Sequence, residues 1–193
     1  MIKAWEKMLT TKEIFDRYQE VRSRFPAVNT TSKTLDINSL LDISDDIDAF
    51  IFDAFGVLNV GETLIPEADI RLDQLRERGC AIRILTNAAS YDRGGAIAKF
   101  ERLGVRVKDD EIITSREATL QHIGDANWGV ICADSDALID LPASVIRLGY
   151  RAEDYDAVDK FLFLSTANWT TQNQELLVAS MKRNSRPLLI GNA

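Results

Sequence analysis

IDAFIFDAFGVLNVGE, residues Ile47 to Glu62, sets the carboxylate of Asp53 directly after the apolar run Phe50-Ile51-Phe52, with Gly56 three residues on. A short apolar run bounded by turn residues reads as a buried strand, here Ala49 to Asp53. An acid at such a strand's end, followed at once by a glycine-bearing turn, sits where backbone N–H groups can point at an anion. Phe55, two places beyond the acid, brings no polar group to that turn.

Read outward from this strand, the chain alternates. A loop runs to Pro66, which suits the first turn of a helix. Leu72 and Leu75 form that helix's apolar side, and Gly79 is its expected cap. Cys80 to Thr86 reads as a second strand, and Arg93 to Leu103 as a helix closed by Gly104. Val105 and Val107 lie on a short extended stretch, and Glu111-Ile112-Ile113 on a third strand. Thr114-Ser115-Arg116-Glu117 is a capping box that opens a helix to about Ile123. Such alternation predicts an α/β protein with a Rossmann-like parallel sheet. Sites in sheets of this kind form beyond the C-terminal strand ends, where Asp53 and Thr86-Asn87 fall.

The pattern restarts after Asp125-Ala126-Asn127. Strands are expected at Trp128 to Ala133, Lys160 to Leu164 and Leu188 to Ile190. A short helix is expected at Ser135 to Leu141, and a longer one at Thr171 to Arg183 with Leu176, Leu177 and Met181 inside. Upstream, Thr10 to Glu13 is a capping box for a helix whose face is Ile14, Tyr18, Val21 and Phe25, ended by Pro26. Ala27 to Asn38 reads as a surface loop. The expected organisation is an N-terminal helix and loop over 1–40, a first α/β unit over 41–124 and a second, smaller one over 125–193.

Composition narrows the function. In 193 residues the formal net charge is -7, which argues against nucleic-acid or membrane-surface binding and suits small-molecule chemistry. No apolar run spans a membrane and the N-terminus lacks a secretory h-region, so a cytoplasmic location is expected. Cys80 and Cys132 lie in apolar runs and read as core residues. His122 is the only histidine, which argues against a His-based zinc site or a Ser-His-Asp triad. It reads as a structural or surface residue.

The strand-end acid has a chemistry of its own. A carboxylate can attack phosphorus to form an acyl-phosphate that water hydrolyses, while a hydroxyl and an amide at the next strand end hold the phosphate oxygens. At this point the residues resemble a known family. FIFDAFGVL resembles motif I of the haloacid dehalogenase superfamily, and RILTNAAS resembles its motif II. The spacing, TSREAT and the cap-like segments WGVICADSDALID and DKFLFLSTANWTTQNQELLVASM resemble the class IIA branch of sugar-phosphate, nucleotide and pyridoxal-phosphate phosphatases. The resemblance covers roughly Asp45 to Ala193. It implies a haloacid dehalogenase-like core with an inserted α/β cap. It implies Asp53 as the nucleophile, Thr86 and Asn87 as phosphate ligands, and Mg²⁺ held by Asp53 with the backbone carbonyl of Phe55. The implied partner is a small phosphorylated metabolite such as a sugar phosphate, with a homo-oligomer allowed.

Two departures bear on activity. Phe55 replaces the family's second aspartate, the general acid/base, whose contribution is about 10²–10⁴-fold. Motif III, a Gly-Lys-Pro lysine, and motif IV, a Gly-Asp metal site, do not follow the cap-like segment. The expectation is therefore that the chain is a fragment, or that another chain completes the sheet. Three functions compete: a phosphomonoesterase acting through Asp53, a catalytically impaired binding protein, and a dehalogenase. The last draws on the aromatic that also follows Asp-Ala in dehalogenases, and it predicts metal-independent halide release.

Other residues have plainer readings. Phe55 is expected to pack against the cap, and Trp169 to pack in the core or a hinge. Asp134 and Asp136 read as a solvated loop and a helix N-terminus. Asp42, Asp45, Asp46 and Asp48 read as a solvated approach to the first strand.

Overall fold

The computed structural model describes residues 10–27, 34–142 and 144–192. The chain divides into two compact units, Met1–Ile37 and Asn38–Ala193. In the first unit, helix α1 (Thr11–Glu20) opens on the expected capping box. Thr10 Oγ1 accepts from the Glu13 N–H at 3.2 Å and Glu13 Oε2 accepts from the Thr10 N–H at 2.8 Å. The helix ends before Pro26: a one-turn 3₁₀ helix, Arg22–Arg24, follows it. Of the expected surface loop, residues 28–33 lie outside the described residues, as does most of the N-terminal stretch read for a signal segment.

The second unit begins with a 3₁₀ helix, Leu40–Asp46, capped by Ser39. Asp42 accepts from the Asn38 and Ser39 N–H groups at 3.0 Å each. Asp45, Asp46 and Asp48 are exposed, as expected. Strand β1 (Ala49–Asp53) follows, then a two-stranded antiparallel hairpin, β2 (Asn59–Val60) and β3 (Thr63–Leu64). The hairpin occupies what was read as plain loop; two-residue strands carry no alternation to read. Helix α2 (Ala68–Glu77) starts after Pro66, because Glu67 is its N-cap at φ 65° and the proline precedes the cap.

Helix α2 ends in a Schellman motif. Gly79, at φ 85°, donates to Arg76 O at 2.9 Å, and Cys80 N donates to Leu75 O at 3.1 Å. Strand β4 (Ala81–Thr86) follows, then α3 (Arg93–Arg102), β5 (Ile112–Thr114) and α4 (Ser115–Leu120). Val105 closes the same motif at the end of α3, donating to Phe100 O at 3.0 Å. Helix α4 stops at Leu120, short of Ile123, and His122 is an exposed turn residue.

The three strands pair in parallel in the order β1-β4-β5. Both crossovers advance in one direction across this sheet. Right-handed connections of that kind put their helices on one face. Leu72 and Leu75 of α2 and Phe100 and Leu103 of α3 share one core with Phe50, Phe52, Ile82, Ile84 and Ile112. Each such side chain contributes about 1.5–3 kcal/mol on burial. The opposite face is bare: Ile51 is 65% exposed, Leu85 43% and Ile113 41%.

Beyond α4 lie β6 (Trp128–Ile131), β7 (Ile146–Arg147), α5 (Ala152–Asp156), β8 (Lys160–Phe163), α6 (Thr171–Arg183) and β9 (Leu188–Ile190). They build a second parallel sheet ordered β7-β6-β8-β9. The chain steps from β6 to one side and then returns past it, so the strand order reverses between β6 and β8. Both faces of β6 are buried. Trp128, Val130 and Cys132 face one core, and Ile131 the other with Tyr155, Phe161 and Leu177. A Cβ on Gly129 would stand 3.0 Å from Val158 and 3.1 Å from Leu148, so any larger residue would have to push those side chains aside. Trp169 packs against this second core, as expected.

The expected helix at Ser135 to Leu141 does not form; the segment is turns. Leu138 has φ 53°, and Asp136 Oδ1 accepts from the Leu138 N–H at 3.0 Å, closing a local turn in place of a helix. Strand β7 and helix α5 went unread for the same reason as the hairpin: each is too short to show a period. Cys80 and Cys132 are buried free thiols, as expected.

Candidate active site

Asp53 ends β1 opposite Leu85, Leu85 stands opposite Ile113, and Thr86 stands opposite Thr114. Parallel register therefore brings the C-terminal ends of three strands to one rim. There Asp53, Thr86, Asn87, Thr114 and Ser115 line a cleft of about 520 Å³ whose floor is the bare sheet face. Asp53, Thr86 and Asn87, the residues singled out from sequence, share this cleft. Asp53 is exposed, and its Oδ1 accepts from the Ala54 N–H at 2.7 Å, which orients the carboxylate at the strand end.

The turn beyond it is held by buried Ala54. Its carbonyl accepts from the Leu58 and Asn59 N–H groups at 2.8 and 3.1 Å, and Gly56 N donates to Asn59 O at 2.8 Å. Gly56 sits at φ 82°, a conformation that costs a residue with a Cβ. Phe55 is 62% exposed on this turn. The expected packing of its side chain is not found, because the tight turn fixes the backbone without using the ring.

Thr86 Oγ1 accepts from the Ala88 N–H at 3.2 Å and keeps its own proton for another acceptor. Ser115 is the residue that reading the sequence missed. Its Oγ is buried without a hydrogen-bond partner among the described residues, and the residue lines the cleft. The signal was present: a hydroxyl pair opens a helix at the third strand's end, where Thr86-Asn87 ends the second. The capping role of Thr114 masked it.

The described residues hold no group of three or more His, Cys, Asp or Glu side chains able to bind a metal ion. The oxygen-bearing side chains lining the cleft are Asp53, Thr86, Asn87, Thr114 and Ser115, one carboxylate among them, and Phe55 does not line it. That set fits Mg²⁺ bound jointly with substrate phosphate and water rather than in an all-protein cage. The chain's Gly-Asp pair, Gly124-Asp125, lies exposed between α4 and β6 and is not among the residues lining the cleft. No lysine or arginine lines it either.

Behind the rim, Arg116 is 1% exposed and fully engaged. Its guanidinium donates to Ala89 O at 3.1 Å, to Asp136 at 2.6 and 3.1 Å, and to Asp140 at 2.7 and 2.8 Å. The expectation that Asp136 stands at a helix N-terminus is overturned: no helix forms there, and Asp136 is buried where Arg116 holds it. Asp134 is exposed, as read.

Residues 50–139 match the family model described as haloacid dehalogenase-like hydrolase. Over that segment the chain is similar to haloacid dehalogenase-like hydrolases, and its α/β fold is that of the solved structures it superposes on. The chain is 34% identical over 84 residues to the chloroplastic phosphoglycolate phosphatase 1A of Arabidopsis thaliana, covering 44% of this chain and 23% of that protein. A possible sugar phosphatase of the superfamily from Cytophaga hutchinsonii superposes with a TM-score of 0.70 at 20% identity, over 80% of this chain and 58% of that one. A glycerol phosphate phosphatase from Mycobacterium tuberculosis, solved in complex with magnesium, gives a TM-score of 0.60 at 18% identity, over 78% and 45%. The match thus spans about a quarter of the curated relative's length. Among the described residues no helix is long and apolar enough to cross a membrane.

Proposed function

We propose that the chain carries the phosphate-handling part of a cytoplasmic phosphomonoesterase for a small phosphorylated metabolite such as a sugar phosphate. In this reading residues 41–124 are the core, 125–193 the cap, and 1–40 an N-terminal addition. The observation that carries it is the convergence of Asp53, Thr86 and Ser115, each from the end of a different parallel strand, on one cleft. The phosphatase names of the relatives support the substrate class.

Asp53 attacks phosphorus through its carboxylate oxygen; the bond to the ester oxygen breaks, and an aspartyl-phosphate forms. The Thr86 hydroxyl and Asn87 hold the phosphate oxygens. Water then attacks the phosphorus, releasing phosphate and restoring Asp53. Asp53 and the Phe55 carbonyl would hold Mg²⁺, which when bound offsets the charge of carboxylate and phosphate. The leaving oxygen takes its proton from solvent, since Phe55 has none. That loss costs roughly 3–5 kcal/mol of barrier and favours good leaving groups.

Phe55 and the lack of a cation lining the cleft favour a second reading, a phosphate-ligand binder without turnover. Mg²⁺-dependent phosphate release from an aryl phosphate and a panel of sugar phosphates separates the two. Turnover that disappears in Asp53→Asn supports the hydrolase. A folded chain without turnover sinks it and leaves the binder.

A further inference from the structure

The turn after β4 belongs to both sheets. Thr86 and Asn87 line the Asp53 cleft. Ala89, two residues on, is fully buried, and the core it joins is that of Trp128, Val130, Leu162 and Leu164 in the second sheet. Within the turn, Thr86 Oγ1 accepts the Ala88 N–H at 3.2 Å, so the path of the chain at 88–89 orients the hydroxyl that faces the cleft.

Arg116 holds the same turn from the other side. Thr114 and Ser115, just before it, line the cleft, while its own side chain is buried behind them. A guanidinium carries five N–H donors in one rigid plane, and all are used. Nη1 donates to the Ala89 carbonyl at 3.1 Å. The others form two forks, onto Asp136 at 2.6 and 3.1 Å and onto Asp140 at 2.7 and 2.8 Å. Both carboxylates lie in the turns that follow β6. The Ala89 carbonyl is therefore held by a side chain that the second unit itself holds. A ligand site needs its contact groups fixed to within about 0.5 Å by the shell behind them, and a short turn has little stiffness of its own.

We propose that Arg116 is a positioning residue of the Asp53 cleft. It sets the 86–89 turn for phosphate, and through Asp136 and Asp140 it makes phosphate affinity depend on how the second sheet is seated. This rests on the phosphate reading of the cleft. The coupling is reciprocal: phosphate in the cleft is felt in the second sheet.

Titration of the isotope-labelled full chain with inorganic phosphate and Mg²⁺, followed through backbone amide shifts, tests this. In the wild type, amides at 86–89 and at Ala54 respond, and so do those of Trp128 and Val130. Arg116→Lys keeps the charge but brings three donors from a single atom, too few to hold Ala89 and both forks. It weakens phosphate binding by about ten- to a hundredfold, the loss typical when the support behind a ligand-binding group is removed, and it silences the response of Trp128 and Val130. Asp140→Asn, at a partly exposed side chain, loosens the same tie from the second unit. It weakens binding in the same direction, and it serves where Arg116→Lys does not fold. Asp156→Asn breaks an ion pair with Arg183 elsewhere in the second unit and leaves binding unchanged. Equal affinity in the wild type, Arg116→Lys and Asp140→Asn overturns this proposal alone and leaves the phosphate reading standing. An equal loss in Asp156→Asn also overturns it, because affinity would then follow overall stability. A wild type that binds no phosphate overturns the phosphate reading, and this proposal with it.

Discussion

Arg116 and Asp136 form a buried ion pair, 2.6 Å between Nη1 and Oδ2, across the junction between α4 and the turns after β6. The same guanidinium holds Ala89 O, three residues beyond Thr86, so one side chain braces the rim of the Asp53 cleft and the second sheet together. Replacing it with Met removes every partner at once and leaves the Asp136 carboxylate buried and uncompensated. Arg116→Met is expected to lower stability by about 3–5 kcal/mol, read from urea unfolding. An unchanged midpoint would mean that Asp136 reaches water without Arg116.

A second buried pair sets an acid limit. Burial alone would push the Glu111 carboxyl up. The hydrogen bonds from Arg76 and the Lys108 N–H, with the Arg76 charge, outweigh it and hold the carboxyl below its ordinary value of 4.5. Asp140 is depressed likewise, its burial outweighed by Arg116. A group depressed in the folded state binds protons less readily there than in the unfolded chain. Its contribution is complete above the unfolded pKa and is lost as pH falls through the folded one. Unfolding midpoints measured downward in pH are expected to hold to about pH 5 and then fall, less steeply in Glu111→Gln. An equal slope in that variant would put the acid sensitivity elsewhere.

Neighbouring residues of β1 predict opposite outcomes. Phe52→Ala removes a ring from the first core and is expected to cost about 3–5 kcal/mol. Ile51→Thr, on the bare face, is expected to stay within about 0.5 kcal/mol. Equal losses in chemical denaturation would mean that the bare face is covered in solution.

Phe55 is exposed, so Phe55→Asp is expected to leave the unfolding midpoint nearly unchanged. On the hydrolase reading, the new carboxyl supplies the missing proton. Turnover of alkyl phosphates rises, by up to about 10²–10⁴-fold, while aryl phosphates, with better leaving groups, gain less. An equal gain for both would mean that the leaving-group proton is not the limiting step.

Much of the fold was legible because strong local signals agreed. The apolar run before Asp53, the glycines after α2 and α3, and the capping boxes at Thr10 and Thr114 each state a boundary in a few residues. Helix α6 was readable end to end, because a 13-residue amphipathic helix has enough turns to show its period. Strands β2, β3 and β7 have two residues each and show none. The turns at 135–141 were misread because Arg116, 20 residues before Asp136, decides their conformation.

By itself the sequence determined the alternation of strands and helices, the strand-end positions of Asp53 and Thr86-Asn87, and the core character of the two cysteines. These follow from local periodicity, capping chemistry and composition. Only the tertiary structure decided which face of the first sheet stays bare, because that depends on the direction in which the strands are added. It alone brought Ser115 to the cleft, buried Asp136 against Arg116, and left Phe55 exposed. Each of these depends on which distant residues meet, and strand order, not local pattern, sets that.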